Sequence, residues 1–228
     1  MIILFFSLAG ISQTVEAPAS NTKLTSSNEK ILLIKDIYEE KIGEEIKDNI
    51  IDKIYTDNVK DTPYITKQKI EYSFTSAKNM LSENGTFAYE EYYSLVSMIL
   101  SAIDMESDFE NKDTYNSVNS IDYGLMQINT CNIPIIEKEL GILDIRNSTK
   151  DNIEAGSWII YNCYIKAFEE HPDDILLYTY SYYNRGIYFE NFEYDKNQMY
   201  KRGDIFADKY FKYYKTIIKE IDKYKKVY

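Results

Sequence analysis

Met105-Glu106-Ser107-Asp108-Phe109 is the first of four short motifs that follow one another along this chain. It closes an apolar run through Ile99, Leu100 and Ile103, so it reads as the end of a helix with a carboxyl group in its last turn. The second motif is Asp122-Tyr123-Gly124-Leu125-Met126-Gln127-Ile128-Asn129, the third Asn152-Ile153-Glu154-Ala155-Gly156 and the fourth Tyr182-Tyr183-Asn184-Arg185-Gly186. Each alone is compatible with chance. In this order they frame Glu106 as a candidate acid, because burial at the end of an apolar helix raises a carboxyl pKa toward the range where it can donate a proton. Asp104 and Asp108 flank it in sequence but not on the same helix face.

Around these motifs the pattern is mainly α. Ile34, Tyr38, Ile42, Ile46, Ile50 and Ile54 recur every fourth residue, an amphipathic stripe weakened modestly by Gly43. Thr62-Pro63 predicts a capped helix over 63–82, and Asn84-Gly85 ends it. A third helix is expected from Thr86 to Glu106, followed by a polar loop with at most a small β-hairpin near 112–123. Helical patterns return at 124–129, 132–140, 149–170, 172–183 and 203–223. The expected organisation is a signal-like segment (1–17), a flexible leader (18–29), an N-terminal helical extension (30–87) and the motif-bearing domain (88–222).

Composition narrows the function classes. The chain has 228 residues and a formal charge of −11, which argues against nucleic acid, since phosphate backbones are held by clustered Lys and Arg. Affinity for an anionic polymer would have to come from local groove contacts. The 23 tyrosines suit a carbohydrate groove through flat faces and polar tips, although most are expected on helix surfaces. Met1 to Ile11 is apolar and Val15-Glu16-Ala17 precedes Pro18, as in a secretory signal peptide, but without the usual positive start. Export is therefore expected, to the periplasm or cell envelope or into a virion. Cys131 and Cys163 fit either one disulfide in an exported protein or two reduced, buried thiols. With one histidine and two cysteines, neither a zinc site nor a cysteine peptidase is well supplied, and no metal or cofactor is expected.

Glu106-Ser107 with Phe109, Gly124-Leu125-Met126-Gln127-Ile128, Asn152-Ile153 with Gly156, and Tyr183-Asn184 with Gly186 together resemble the soluble lytic transglycosylase domain, over roughly residues 88–222. The form around Asp122 is closest to small exported members associated with secretion and conjugation machines, and it also resembles animal-type lysozymes. The resemblance implies a mainly helical, lysozyme-like fold with a groove for peptidoglycan glycan strands, acting as a monomer. It implies that Glu106 is the single acid and base, and that Gln127, Tyr183 and Asn184 meet substrate beside it, with Tyr182 and Ser120 as further candidates. The family's serine after the acid, followed by Gly-Ala, has no clear match here; Ser117 or Ser120 stands nearest.

Asp122 keeps a second chemistry open. Animal-type lysozymes carry their second carboxylate at this place, and two nearby carboxylates favour a retaining hydrolase over closure of an anhydro ring. A third reading is a structural protein of a secretion apparatus or phage particle. In it the stripe of residues 30–55 would dock a secretion, conjugation or phage assembly partner.

Overall fold

The computed structural model describes residues 43–83, 89–115, 120–186 and 196–225. The signal-like segment, the leader, Ile34, Tyr38 and Ile42 of the stripe, Asn84-Gly85, Thr86 and Ser117 lie outside the described residues. Helical residues 43–58 (α1) are followed by α2 (Lys67–Glu83), α3 (Tyr89–Ser107), three short strands, a 3-10 turn (Thr130–Asn132), α4 (Ile133–Leu140), α5 (Thr149–Glu170), α6 (Ile175–Arg185) and α7 (Lys196–Lys225). The class is mainly α, as expected. Among the described residues, no helix is long and apolar enough to cross a membrane.

The helix α3 is the centre of the packing. Leu95, Val96, Met98, Ile99, Leu100, Ala102 and Ile103 are all buried, so apolar residues surround the helix and neighbours must cover it on several sides. The flanking layers are α2, α5 and α7, with α6 packed between α5 and α7. Ser97 and Ser101 are also buried, and each hydroxyl donates to the carbonyl four residues back, at 2.7 Å. That satisfies their polar groups without a partner from another helix. Ile50, Ile51 and Ile54 of α1 enter the same core, so this half of the stripe is spent within the molecule.

The strands β1 (Thr114–Tyr115), β2 (Ile121–Tyr123) and β3 (Ile128–Asn129) form an antiparallel sheet in the order β1-β2-β3. Asp122 pairs with Thr114 on one side and Asn129 on the other.

Two expectations need correction. The second helix begins at Lys67, not residue 63. The Ile65 amide donates to the Thr62 carbonyl at 3.1 Å, so Pro63 serves a turn, whereas the Thr66 hydroxyl accepts from the Lys69 amide at 3.2 Å and caps the helix. Residues 124–129 are not helical: Gly124 (φ 71°) and Gln127 (φ 45°) adopt left-handed backbone, and the segment is a turn leading into β3.

Candidate active site

The end of α3 is held by its own exit. Asp108 (φ 53°) and Phe109 (φ 62°) turn the chain sharply out of the helix, and Phe109 is fully buried. The Lys69 ammonium donates to the carbonyls of Phe109 and Tyr64, each at 2.8 Å, tying this exit to the turn before α2. One helical turn earlier, Asp104 is buried and receives the Tyr213 hydroxyl at 2.8 Å and the Lys209 ammonium at 2.5 Å from α7. Glu106 sits between these two anchors, with little freedom to drift.

Its carboxyl faces a cleft of about 1030 Å³ walled by the sheet, α4, α5, the end of α6 and the start of α7. Burial pushes the Glu106 pKa above the usual carboxylate range. The Tyr180 hydroxyl donates to Glu106 Oε1 at 2.7 Å and pulls the other way, as do the Arg202 charge and a hydrogen bond with Asn184. The negative charge of Asp122 adds to the upward push. The net shift is upward, toward easier proton retention, and donors stand ready for the ionised form.

The other three motifs form one interlocked support. Asn152, buried on α5, accepts the Met126 amide at 2.9 Å and donates to the carbonyls of Tyr123 (2.8 Å) and Ile145 (3.1 Å). A Cβ on Gly124 would lie 2.4 Å from Asn152 Nδ2, and one on Gly156 would lie 2.3 Å from Met126 Sδ and 2.6 Å from its Cβ. Both glycines are therefore required by close approach. Tyr183 donates to the Met126 carbonyl at 2.7 Å, and Gln127 Nε2 donates to the carbonyls of Gly124 (2.7 Å) and Lys112 (2.8 Å).

Among the sequence candidates, Glu106, Asp122, Gln127, Tyr183 and Asn184 all line the cleft. Asp122 Oδ1 accepts from Asn129 Nδ2 at 2.6 Å. Ser120 is not among the cleft-lining residues; its hydroxyl accepts from Asn129 at 3.2 Å. Tyr182 reaches the cleft wall, but it is 1 % exposed and its hydroxyl donates to Glu170 Oε2 at 2.5 Å. A buried ring so engaged presents little face to a sugar. Of the two readings of the cysteines, the structure has neither a bridge nor two buried thiols: both are free, Cys131 exposed at the cleft and Cys163 buried against Ala167 and Tyr182. Burial pushes the Cys163 thiol pKa up to about 12, the environment of an inert core residue.

Sequence reasoning missed Tyr180 and Arg202. Tyr180 lies three residues before Tyr183, on the same face of α6, and that spacing was a usable signal. Arg202 arrives from α7, with no local sequence signal. Trp158 of α5 also lines the cleft.

The sequence model of the transglycosylase SLT domain matches residues 85–204, more than half of the chain. Two Escherichia coli proteins described as peptidoglycan-binding-like are similar to it. The one from strain K12 is 36% identical over 70 residues, which is 29% of this chain and 44% of that protein. The one from O157:H7 is 36% identical over 69 residues, 29% of this chain and 41% of that protein. This chain thus spans less than half the length of the curated relatives it matches. No solved structure matches it significantly. The chain belongs to the transglycosylase SLT domain family.

Proposed function

We propose that this chain cuts the β-1,4 bond between N-acetylmuramic acid and N-acetylglucosamine and closes a 1,6-anhydro ring, with Glu106 as the single acid and base. The observation that carries this reading is the Glu106 carboxyl itself, which faces the cleft with its pKa raised by desolvation and accepts the Tyr180 hydroxyl at 2.7 Å. In the first step, neutral Glu106 gives its proton to the bridging oxygen as the bond from that oxygen to C1 breaks. The acetamido oxygen of the muramoyl residue supports the positive charge at C1. In the second step, the Glu106 carboxylate takes the proton of the 6-hydroxyl, whose oxygen bonds to C1. No water is consumed, and Glu106 ends protonated as it began. Gln127, Tyr183 and Asn184 shape the cleft beside this centre, and the site of action would be the cell envelope.

A second reading is favoured by Asp122, which lines the same cleft and raises the proton affinity of Glu106. A second carboxylate could make the enzyme a lysozyme-type hydrolase. Mass spectrometry of purified peptidoglycan digested by wild type and by Glu106→Gln separates the two. Products one water lighter than hydrolytic muropeptides, absent with the variant, are expected. Reducing products would establish the hydrolase, and no release from several wall types would favour a structural role.

A further inference from the structure

Arg202 reaches from α7 to both polar partners of Glu106. Its Nη1 donates to Asn184 Oδ1 at 3.2 Å and its Nη2 to the Tyr180 hydroxyl at 3.1 Å, and the guanidinium carbon lies 5.6 Å from the centroid of the Tyr180 ring. Tyr180 is 1 % exposed and stacked on Phe206, with centroids 4.9 Å apart, so its ring cannot swing away.

The direction of the bonds matters more than their number. A phenol has a single proton to give, and a guanidinium only donates. With Arg202 donating to the phenol oxygen, the phenol proton is directed to the remaining acceptor, Glu106 Oε1. The carbonyl oxygen is the better acceptor of a neutral carboxyl, so a Glu106 that accepts on Oε1 carries its own proton on Oε2. Without Arg202 the hydroxyl can rotate and accept from the acid instead, which places the proton on the oxygen turned toward Tyr180.

We propose that Arg202 is a positioning residue for the reaction: by fixing the Tyr180 phenol as a donor to Oε1, it confines the transferable proton to Oε2 and supports the carboxylate once that proton has left. This rests on the reading of Glu106 as the acid and base. The other groups around the carboxyl do not substitute for it. Asp122 of β2 is an acid, Tyr183 of α6 is committed to the Met126 carbonyl, Asp104 on α3 is held by Lys209 and Tyr213, and Asp108 is exposed. Arg202 opposes the upward shift of the carboxyl, so its loss moves that shift further up.

The test compares Arg202→Gln, Arg202→Lys and Tyr180→Phe with the double variant Tyr180→Phe/Arg202→Gln. Each is first checked for fold by circular dichroism. Carbon-13 NMR titration of labelled glutamate carboxyls, with Glu106 assigned by its absence in Glu106→Gln, follows the site without turnover. Arg202→Gln is expected to raise the Glu106 midpoint, whereas Arg202→Lys keeps it near wild type because the charge remains. With peptidoglycan, Arg202→Gln is expected to lower kcat about 10-fold with little change in KM. In the Tyr180→Phe background the same change should lower kcat less than about twofold, since the route through the phenol is already gone. An unmoved midpoint, an equal kcat loss in both backgrounds, or a loss confined to KM would overturn the inference. A wild type that releases nothing would overturn the functional reading separately, because the titration does not depend on activity.

Discussion

The burial that suits Glu106 to proton transfer also works against the fold. Its folded-state pKa lies above the unfolded value, so the folded protein binds the proton more tightly. Below the unfolded value, near pH 4, both states are neutral and the site costs nothing. As pH rises from there through the folded pKa, the unfolded chain ionises first and stability falls. Glu106→Gln cannot ionise. It is expected to melt at a higher temperature than wild type at pH 7 to 8, and the difference should shrink as pH falls and vanish below about pH 4. Scanning calorimetry across that range checks the sign; a variant less stable at neutral pH would refute it. The same substitution should reduce glycan cleavage by roughly a thousandfold, within the range for loss of a general acid.

Asn152 carries another residue-scale expectation. Replacing it with Ala strips partners from one amide and two carbonyls around the turn that presents Gln127. Each orphaned group costs about 1–3 kcal/mol, so a total near 3 kcal/mol is expected after relaxation. Urea denaturation would measure it; a loss under about 1 kcal/mol would mean that the turn holds itself.

Among the elements, the register of α7 on α3 decides whether Arg202 meets Tyr180. Asp104 fixes that register through Lys209 and Tyr213. Asp104→Ala leaves a buried hydroxyl without an acceptor and an ammonium that is only partly exposed, a loss of about 3 kcal/mol. Chemical denaturation should show it, and cleavage at saturating substrate should fall as Arg202 loses its place. Retained cleavage with lowered stability would separate the anchor from the site. Long, strongly patterned elements were legible in sequence: α5 spans Thr149–Glu170 as expected, with the Ser148 hydroxyl accepting from the Asp151 amide at 3.2 Å. Residues 124–129 were not, because Leu125, Met126 and Ile128 mimic a helical face while the backbone at Gly124 and Gln127 forms a turn. In the site, Glu106 and the interlocked glycines could be read from motifs. Arg202 could not, since its role exists only after α7 has packed against α6.

At the scale of the molecule, the family match and the folding unit have different limits. Residues 85–204 contain the four motifs, yet Gly43–Tyr228 form one compact unit whose core extends beyond the match at both ends. Ile50, Ile54, Ile70, Phe74 and Leu81 precede it, and Phe206, Tyr213 and Ile217 follow it, all essentially without solvent contact. Burial of each such side chain contributes about 1.5–3 kcal/mol. Together they contribute roughly 12–24 kcal/mol of burial, at least as large as most of the roughly 5–15 kcal/mol net stability range of an ordinary domain. A polypeptide of residues 85–204 would also lose Lys209 and Tyr213, leaving Asp104 uncompensated beside the candidate acid. It is therefore expected to show no cooperative thermal transition by circular dichroism and no glycan cleavage, whereas residues 43–228 should melt cooperatively. A sharp transition from the shorter polypeptide would mean that the motif region closes its own core, and that α1, α2 and the distal half of α7 brace a site already formed.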